Sequence, residues 1–364
     1  MIQLDYKNDT INFMNLTERQ LDILAFISDN SGVQTQDIRE YVSKKNGDKM
    51  SRVTIIRDID VLLKNDFILK KGMGRAVVYD ISPKGSLLAP INFEEYFKSD
   101  PDNRIKVKKY FQQDIFERMK YLFSEQELSK LEKINENYQK RISVFSSMAL
   151  RKEFERLTIE LSWKSSQIEG NTYSLIDTEI LLTQEKEAAG HKKEEATMLL
   201  NHKRALEYIH NNSEIFKKIS LRNMEDVHAL LVDNLGVNKG LRKNIVGITG
   251  TAYRPLDNQF QIKEAVEKMI ETINTLSHPL EKALAFILLI SYVQPFEDGN
   301  KRTARLIGNA ILMAHNFCPL SYRSVDEAEY KKAVLLFYER NNAWLFKKIF
   351  TEQFEFAVSN YFLA

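Results

Sequence analysis

A mainly helical chain with a little β structure is what three observations predict. Apolar residues recur at spacings of three and four through most of the second half. The first ninety residues read as three short helices followed by two strands. Glycine is scarce, at thirteen in 364 residues, and a net charge of +2 with 43% hydrophobic content fits a soluble, mostly helical protein. The length allows two or three domains, each with its own core. We read residues 1–90 as one domain, 91–150 as a helical linker or bridging region and 151–364 as a helical bundle.

The first helix starts at Thr17, with apolar spacing at Leu21, Leu24, Ala25 and Ile27, and a second spans 35–42. The third begins at Ser51, a hydroxyl cap, and is predicted to bury Val53, Ile56, Ile59 and Leu63 or their neighbours. Strands over 67–71 and 76–81 follow, joined by a tight turn through Gly72, Met73, Gly74 and Arg75. The run 99–103, with Pro101 at its centre, punctuates as a linker, and Ser124 with Glu127 forms a capping box before a charged helix over 125–141. Residues 240–255 alternate β-branched residues with glycines and end at Pro255, which predicts a short hairpin. Residues 281–293 are apolar nearly all round, the pattern of a helix at the centre of a bundle. At that length the segment falls short of the ~20 apolar residues a bilayer requires. Helices over 303–316, 326–340 and 344–362 close the bundle.

The chemistry concentrates in residues 294–305, Gln-Pro-Phe-Glu-Asp-Gly-Asn-Lys-Arg-Thr-Ala-Arg. A helix leaves its first N–H groups unpaired and carries partial positive charge there, so Gly299, Asn300 and Lys301 can aim backbone donors at an anion. Asp298 suits Mg²⁺, which takes one or two carboxylates and completes its shell with phosphate oxygens and water. Arg302 and Arg305 lie three apart on one helical face and offer planar forks to phosphate. Together these residues have the composition of a triphosphate grip.

This segment resembles the signature of the Fic domain family, HPFx(D/E)GN(G/K)RxxR, with Lys301 as an accepted variant and Gln294 at the histidine position. The resemblance implies ATP and Mg²⁺ as ligands, and a target protein whose Ser, Thr or Tyr hydroxyl receives AMP. In the family the histidine is the general base. A glutamine amide holds a hydroxyl by hydrogen bonding but has no pKa suited to taking its proton. Catalytic positions carried over are Gln294, Asp298, Asn300 and Arg302. Nucleotide-binding positions are Gly299, Asn300, Lys301, Arg302 and Arg305, with Asp298 at the metal. His191, His202, His210, His228, His278 and His315 all lie off the motif position and are expected on helix surfaces or in packing.

Upstream, Ser165 to Asn171 resembles the family's inhibitory pattern (S/T)xxxE(G/N), carried on a helix near 161–171. The resemblance implies that Glu169, between Ser165 and Gly170, occupies the Arg305 guanidinium and holds ATP in an unproductive pose. The hairpin at 240–255 resembles the family's flap, an exposed strand edge that receives the target segment. Gly250, Thr251 and Tyr253 are the expected flap residues.

The N-terminal pattern is similar to a winged helix-turn-helix of the DeoR type, including Thr54-Ile-Ile-Arg57-Asp-Ile in the third helix. Arg52, Thr54 and Arg57 are then expected to face DNA, with Arg75 on the wing. Thirteen Lys/Arg against twelve Asp/Glu in residues 1–90 is a weak basic footprint, so DNA binding and protein contact both stay open. The single cysteine, Cys318, excludes an internal disulfide framework, and no export signal opens the chain, which makes the cytoplasm the expected compartment. No membrane partner is implied, and an oligomer is compatible with the sequence. Two functions follow: an AMP transferase braked by Glu169 and weakened at Gln294, or a nucleotide-binding regulator without transfer activity, acting through its winged helix.

Overall fold

Hydroxyl caps start the helices of the N-terminal region. Thr17, Ser51 and Ser82 each accept a hydrogen bond from the backbone three residues on, opening α1 (Glu18–Asp29), α3 (Arg52–Lys64) and α4 (Pro83–Leu88), while α2 (Thr35–Asn46) ends at Gly47 with φ 76°. In this computed structural model, which describes residues 16–363, the contacts divide the chain into compact units at 1–92 and 93–364.

In the first unit β1 (Ile68–Lys71) pairs antiparallel with β2 (Val78–Ile81), from Ile68 opposite Ile81 to Lys71 opposite Val78. Gly72 is required at the turn, since φ is +79° and an added Cβ would lie 2.3 Å from the Ala76 carbonyl oxygen. The core face of α3 is Ile55, Ile59 and Leu62, together with Asp58, which is paired with Arg19 and Gln20. Ile59 and the neighbours Ile55 and Leu62 are buried as expected, whereas Val53 and Ile56 are exposed at 59% and 38%, because Asp58 takes an inward position that a purely apolar pattern assigns elsewhere.

The second unit is helical throughout its regular structure. Its elements are α5 (Phe93–Tyr96), α6 (Ile115–Arg118), α7 (Glu125–Val144), α8 (Ser147–Ile168), α9 (Leu175–Gln184), α10 (Lys193–Asn211), α11 (Leu221–Leu231), α12 (Gln259–Thr275), α13 (Pro279–Val293), α14 (Asn300–Ala314), α15 (Glu327–Arg340) and α16 (Trp344–Asn360). The Ser124–Glu127 capping box forms as expected at α7. Central α13 is buried from Leu280 onward except at Lys282, and packs against α14, α12 and α15. Where the two central helices meet, Gly308 lets α14 close on α13; a Cβ there would lie 2.7 Å from Ile287. No helix among the described residues is long and apolar enough to cross a membrane.

The expected hairpin at 240–255 does not form. Residues 246–249 make no backbone–backbone hydrogen bond among the described residues, and Arg254 bridges instead to Tyr110. The cause is Arg242, whose guanidinium donates to the carbonyls of Gln294, Asn244 and Leu256. Held open in this way, the segment is an extended loop rather than two strands folded on each other.

Candidate nucleotide-binding site

The site is the turn between α13 and α14. Gln294 ends α13 in the left-handed region at φ 51°, and Gly299 starts α14 at φ 80°. A side chain at 299 would be strained by that φ and would bring a Cβ to 3.2 Å from Val232. Asn300 clips the turn shut. Its Oδ1 accepts from the Phe296 N–H at 2.9 Å, and its Nδ2 donates to the Phe296 carbonyl at 2.8 Å and to Gln294 Oε1 at 3.0 Å. The Asn300 side chain thus belongs to the turn, while the N–H groups of Asn300, Lys301 and Arg302 make no backbone hydrogen bond among the described residues.

His228 supports the same turn from behind. Its ring stacks on Phe296 at 3.8 Å, and its Nε2 donates to the Asp298 carbonyl at 2.9 Å, which fixes the tautomer. Burial pushes the His228 pKa down to about 4, so the ring is neutral near pH 7. Sequence reasoning assigned it to packing; its position seven residues upstream of Leu235 carries no motif signal that would have revealed the contact.

Gln294 is 8% exposed, and its amide is fully engaged. Nε2 donates to the Ser291 carbonyl at 2.6 Å and to the Tyr338 hydroxyl at 3.2 Å, while Oε1 accepts from Asn300. At the other end of the turn, Arg302 Nη2 donates to Asp298 at 3.0 Å. Its Nη1 is buried with no hydrogen-bond partner among the described residues. An orphaned guanidinium N–H is costly unless an anion completes it.

Arg305 is fully buried and multiply held. Nε donates to Ser165 Oγ at 2.8 Å, and Nη2 donates to the Ser165 carbonyl at 2.9 Å and to Glu169 Oε1 at 2.8 Å. Lys301 Nζ reaches Glu169 Oε2 at 3.4 Å. Burial opposes ionisation of Glu169, but the charges of Arg305, Lys301 and Arg302 hold its carboxyl below the ordinary range. Ser165 also meets His202 Nε2 at 2.9 Å, and burial with the nearby arginines drives the His202 pKa well down. Gly170, at φ 98°, ends α8 and lets Glu169 point back at α14.

A cavity of about 310 Å³ lies over this turn. Of the sequence-predicted residues it is lined by Gln294, Asp298, Gly299, Asn300, Lys301, Arg302 and Glu169, whereas Arg305 sits behind Glu169. Gly250, Thr251 and Tyr253 do not line it. Tyr253 is a core residue instead, 2% exposed, stacked on Tyr292 at 4.8 Å and donating to the Tyr292 carbonyl at 2.9 Å; its ring has too much apolar area to leave in water. The lining loop residues are 246–249, which the β-branched run itself marked, and Met198 joins them from α10. No cluster of three or more His, Cys, Asp or Glu side chains suited to a metal occurs among the described residues. The donor set, one carboxylate beside anion-seeking N–H groups, fits Mg²⁺ held jointly with phosphate.

Residues 218–312 match the Fic/DOC family. The chain is 27% identical over 207 residues to a protein adenylyltransferase Fic of Nematostella vectensis, covering 55% of this chain and 48% of that protein. It is 26% identical over 189 residues to the protein adenylyltransferase fic-1 of Caenorhabditis elegans, covering 50% and 37%. The match thus spans less than half the length of either relative. Among solved structures, C. elegans Fic-1 superposes with a TM-score of 0.55 at 20% identity, over 68% of this chain and 80% of that one. A Fic domain containing signalling protein from Bacteroides thetaiotaomicron gives 0.53 at 18% identity, over 62% and 94%, a likeness of fold. The second unit of this chain therefore carries a Fic domain whose homologues include Fic adenylyltransferases.

Proposed function

We propose that this chain binds ATP with Mg²⁺ in the cavity at the start of α14 and is a Fic-type AMP transferase held back by Glu169 and slowed by Gln294. The observation that carries this reading is the 2.8 Å ion pair between Glu169 and Arg305 beside a turn that retains its anion donors. Backbone N–H groups at 299–301 and the free Nη1 of Arg302 would take phosphate oxygens. Asp298 would hold Mg²⁺, which supplies neutralising charge on the phosphates when bound. Arg305 becomes available to the terminal phosphate once Glu169 withdraws.

Transfer joins a target hydroxyl oxygen to the α-phosphorus and releases pyrophosphate, and the hydroxyl proton must leave. Gln294 cannot take it, and losing a general base costs roughly 10²–10⁴-fold in rate. The extended loop at 246–249, with its backbone groups unpaired, suits capture of a target segment by strand addition.

A second reading has its own support. All polar atoms of the Gln294 amide are engaged inside the turn, which favours a nucleotide-binding regulator over a working transferase. Arg52, Arg57 and Arg75 are exposed and suit DNA phosphate or base contacts in such a regulator.

The test is labelling with α-³²P ATP. Glu169→Gly should tighten productive Mg²⁺–ATP binding, and Glu169→Gly with Gln294→His should label itself with AMP. ATP binding without label in the double variant would transfer the conclusion to the regulator, and no ATP binding in any variant would sink both. A promoter gel shift at two salt concentrations separately tests the DNA role.

A further inference from the structure

We propose that Arg104, outside the matched family segment, is the positioning residue that sets the open edge of the cavity at 246–249. Its guanidinium is 7% exposed, and Nη1 lies 2.9 Å from Glu339 Oε1 and 2.9 Å from the carbonyl oxygen of Gly250. Gly250 directly follows the cavity-lining loop and turns the chain at φ 83°. Glu339 is wholly buried near the end of α15, and the Tyr96 hydroxyl donates to its other oxygen at 2.7 Å. Phe97 covers the guanidinium at 4.6 Å.

This is a strap with several anchors. Lys108 N–H donates to the Glu339 carbonyl at 2.7 Å, Arg254 N–H to the Lys109 carbonyl at 2.8 Å, and Gln112 N–H to the Tyr292 hydroxyl at 3.0 Å. The lining loop therefore has fixed ends and a free middle. Arg242 grips its start through the Gln294, Asn244 and Leu256 carbonyls, and Arg104 grips its end through Gly250. Between them, residues 246–249 have no backbone partner among the described residues. A free edge without its own ladder keeps one conformation only if its ends are held, and a charge-assisted hydrogen bond from an arginine anchored on buried Glu339 is suited to holding one. Arg104 thereby fixes how far the edge stands from the phosphate turn and the register in which an extended segment would pair with it. The functional weight of this contact rests on the nucleotide-site reading above.

Two substitutions in the full-length protein separate position from stability. Arg104→Lys keeps a cation for Glu339 but loses the planar group whose Nε also donates to the Ser99 carbonyl at 3.2 Å and so aims Nη1 at Gly250. Arg104→Met with Glu339→Gln removes both charges and leaves neither buried alone. Nitrogen-15 relaxation without nucleotide should lower the backbone order parameters of 246–251 from about 0.85 toward about 0.6 in both variants, with α13 and α14 unchanged. Unchanged order parameters at 246–251 in both, or an equal fall across α14, would overturn the proposal. Because no ATP is present, the result stands apart from the nucleotide reading, which calorimetry with Mg²⁺–ATP on the same samples tests independently.

Discussion

Helices α3 and α14 start with similar sequences and opposite surroundings. One opens on the hydroxyl cap of Ser51 and the other on Gly299, and both place arginines within two turns: Arg52 and Arg57 in one, Arg302 and Arg305 in the other. In α3 both arginines are exposed and have no hydrogen bond or ion pair among the described residues, while Val53 and Ile56 share their solvent side. In α14 both are buried, at 2% and 0% exposure, and are tied to Asp298, Ser165 and Glu169. A solvated arginine costs the fold little, so its placement says little about energy and much about which surface is offered. A buried arginine must be matched, so its partners define a state, and here that state is the Glu169–Arg305 ion pair.

The contrast can be tested, from the largest effect to the smallest. Arg305→Met leaves the buried Glu169 carboxylate with Lys301 alone and should cost about 3–5 kcal/mol in urea unfolding. Adding Glu169→Gln should recover much of that loss; if it does not, the pair is not what stabilises the junction of α8 and α14.

Acid should act next through His228. Below the ordinary imidazole value of 6.5 the unfolded chain takes up a proton that folded His228 refuses until about 4, so stability present above that window is lost as pH falls through it. The slope is at most about 1.4 kcal/mol per pH unit for this group, and His228→Gln should flatten it. Glu169, with its carboxyl depressed, contributes across neutral pH and loses its contribution only as pH falls below the ordinary carboxylate range. The Glu169–Arg305 pair should therefore be insensitive to pH between about 6 and 8.

The smallest effect is expected in α3. Arg57→Ala should change stability by less than about 0.5 kcal/mol. If DNA is the partner, the same change reduces the salt slope of binding by about one. A large stability loss would mean that α3 resembles α14 more than its exposure indicates.

The helical class and central α13–α14 pair were legible because apolar periodicity is a local signal. The cluster of residues at the α13–α14 turn was legible because they are contiguous, and the meeting of Glu169 with Arg305 because each lies in a compact segment. What escaped was set by distant partners. Tyr253 looked like a loop tip, yet Tyr292 and Tyr338 draw it inward. The hairpin looked sound by alternation, yet Arg242 spends its donors on three carbonyls that keep the segment open. Val53 and Ile56 looked inward because nothing near them marks Asp58 as the buried partner of Arg19 and Gln20. His228 and Arg104 gave no signal, since each acts through a backbone carbonyl far along the chain.

Few side chains settle comfortably in the left-handed backbone at position 294, at φ 51°, and histidine is among those found there more often than most. The main chain at this corner already accommodates an imidazole, so installing a proton acceptor there demands a new side chain without a new loop.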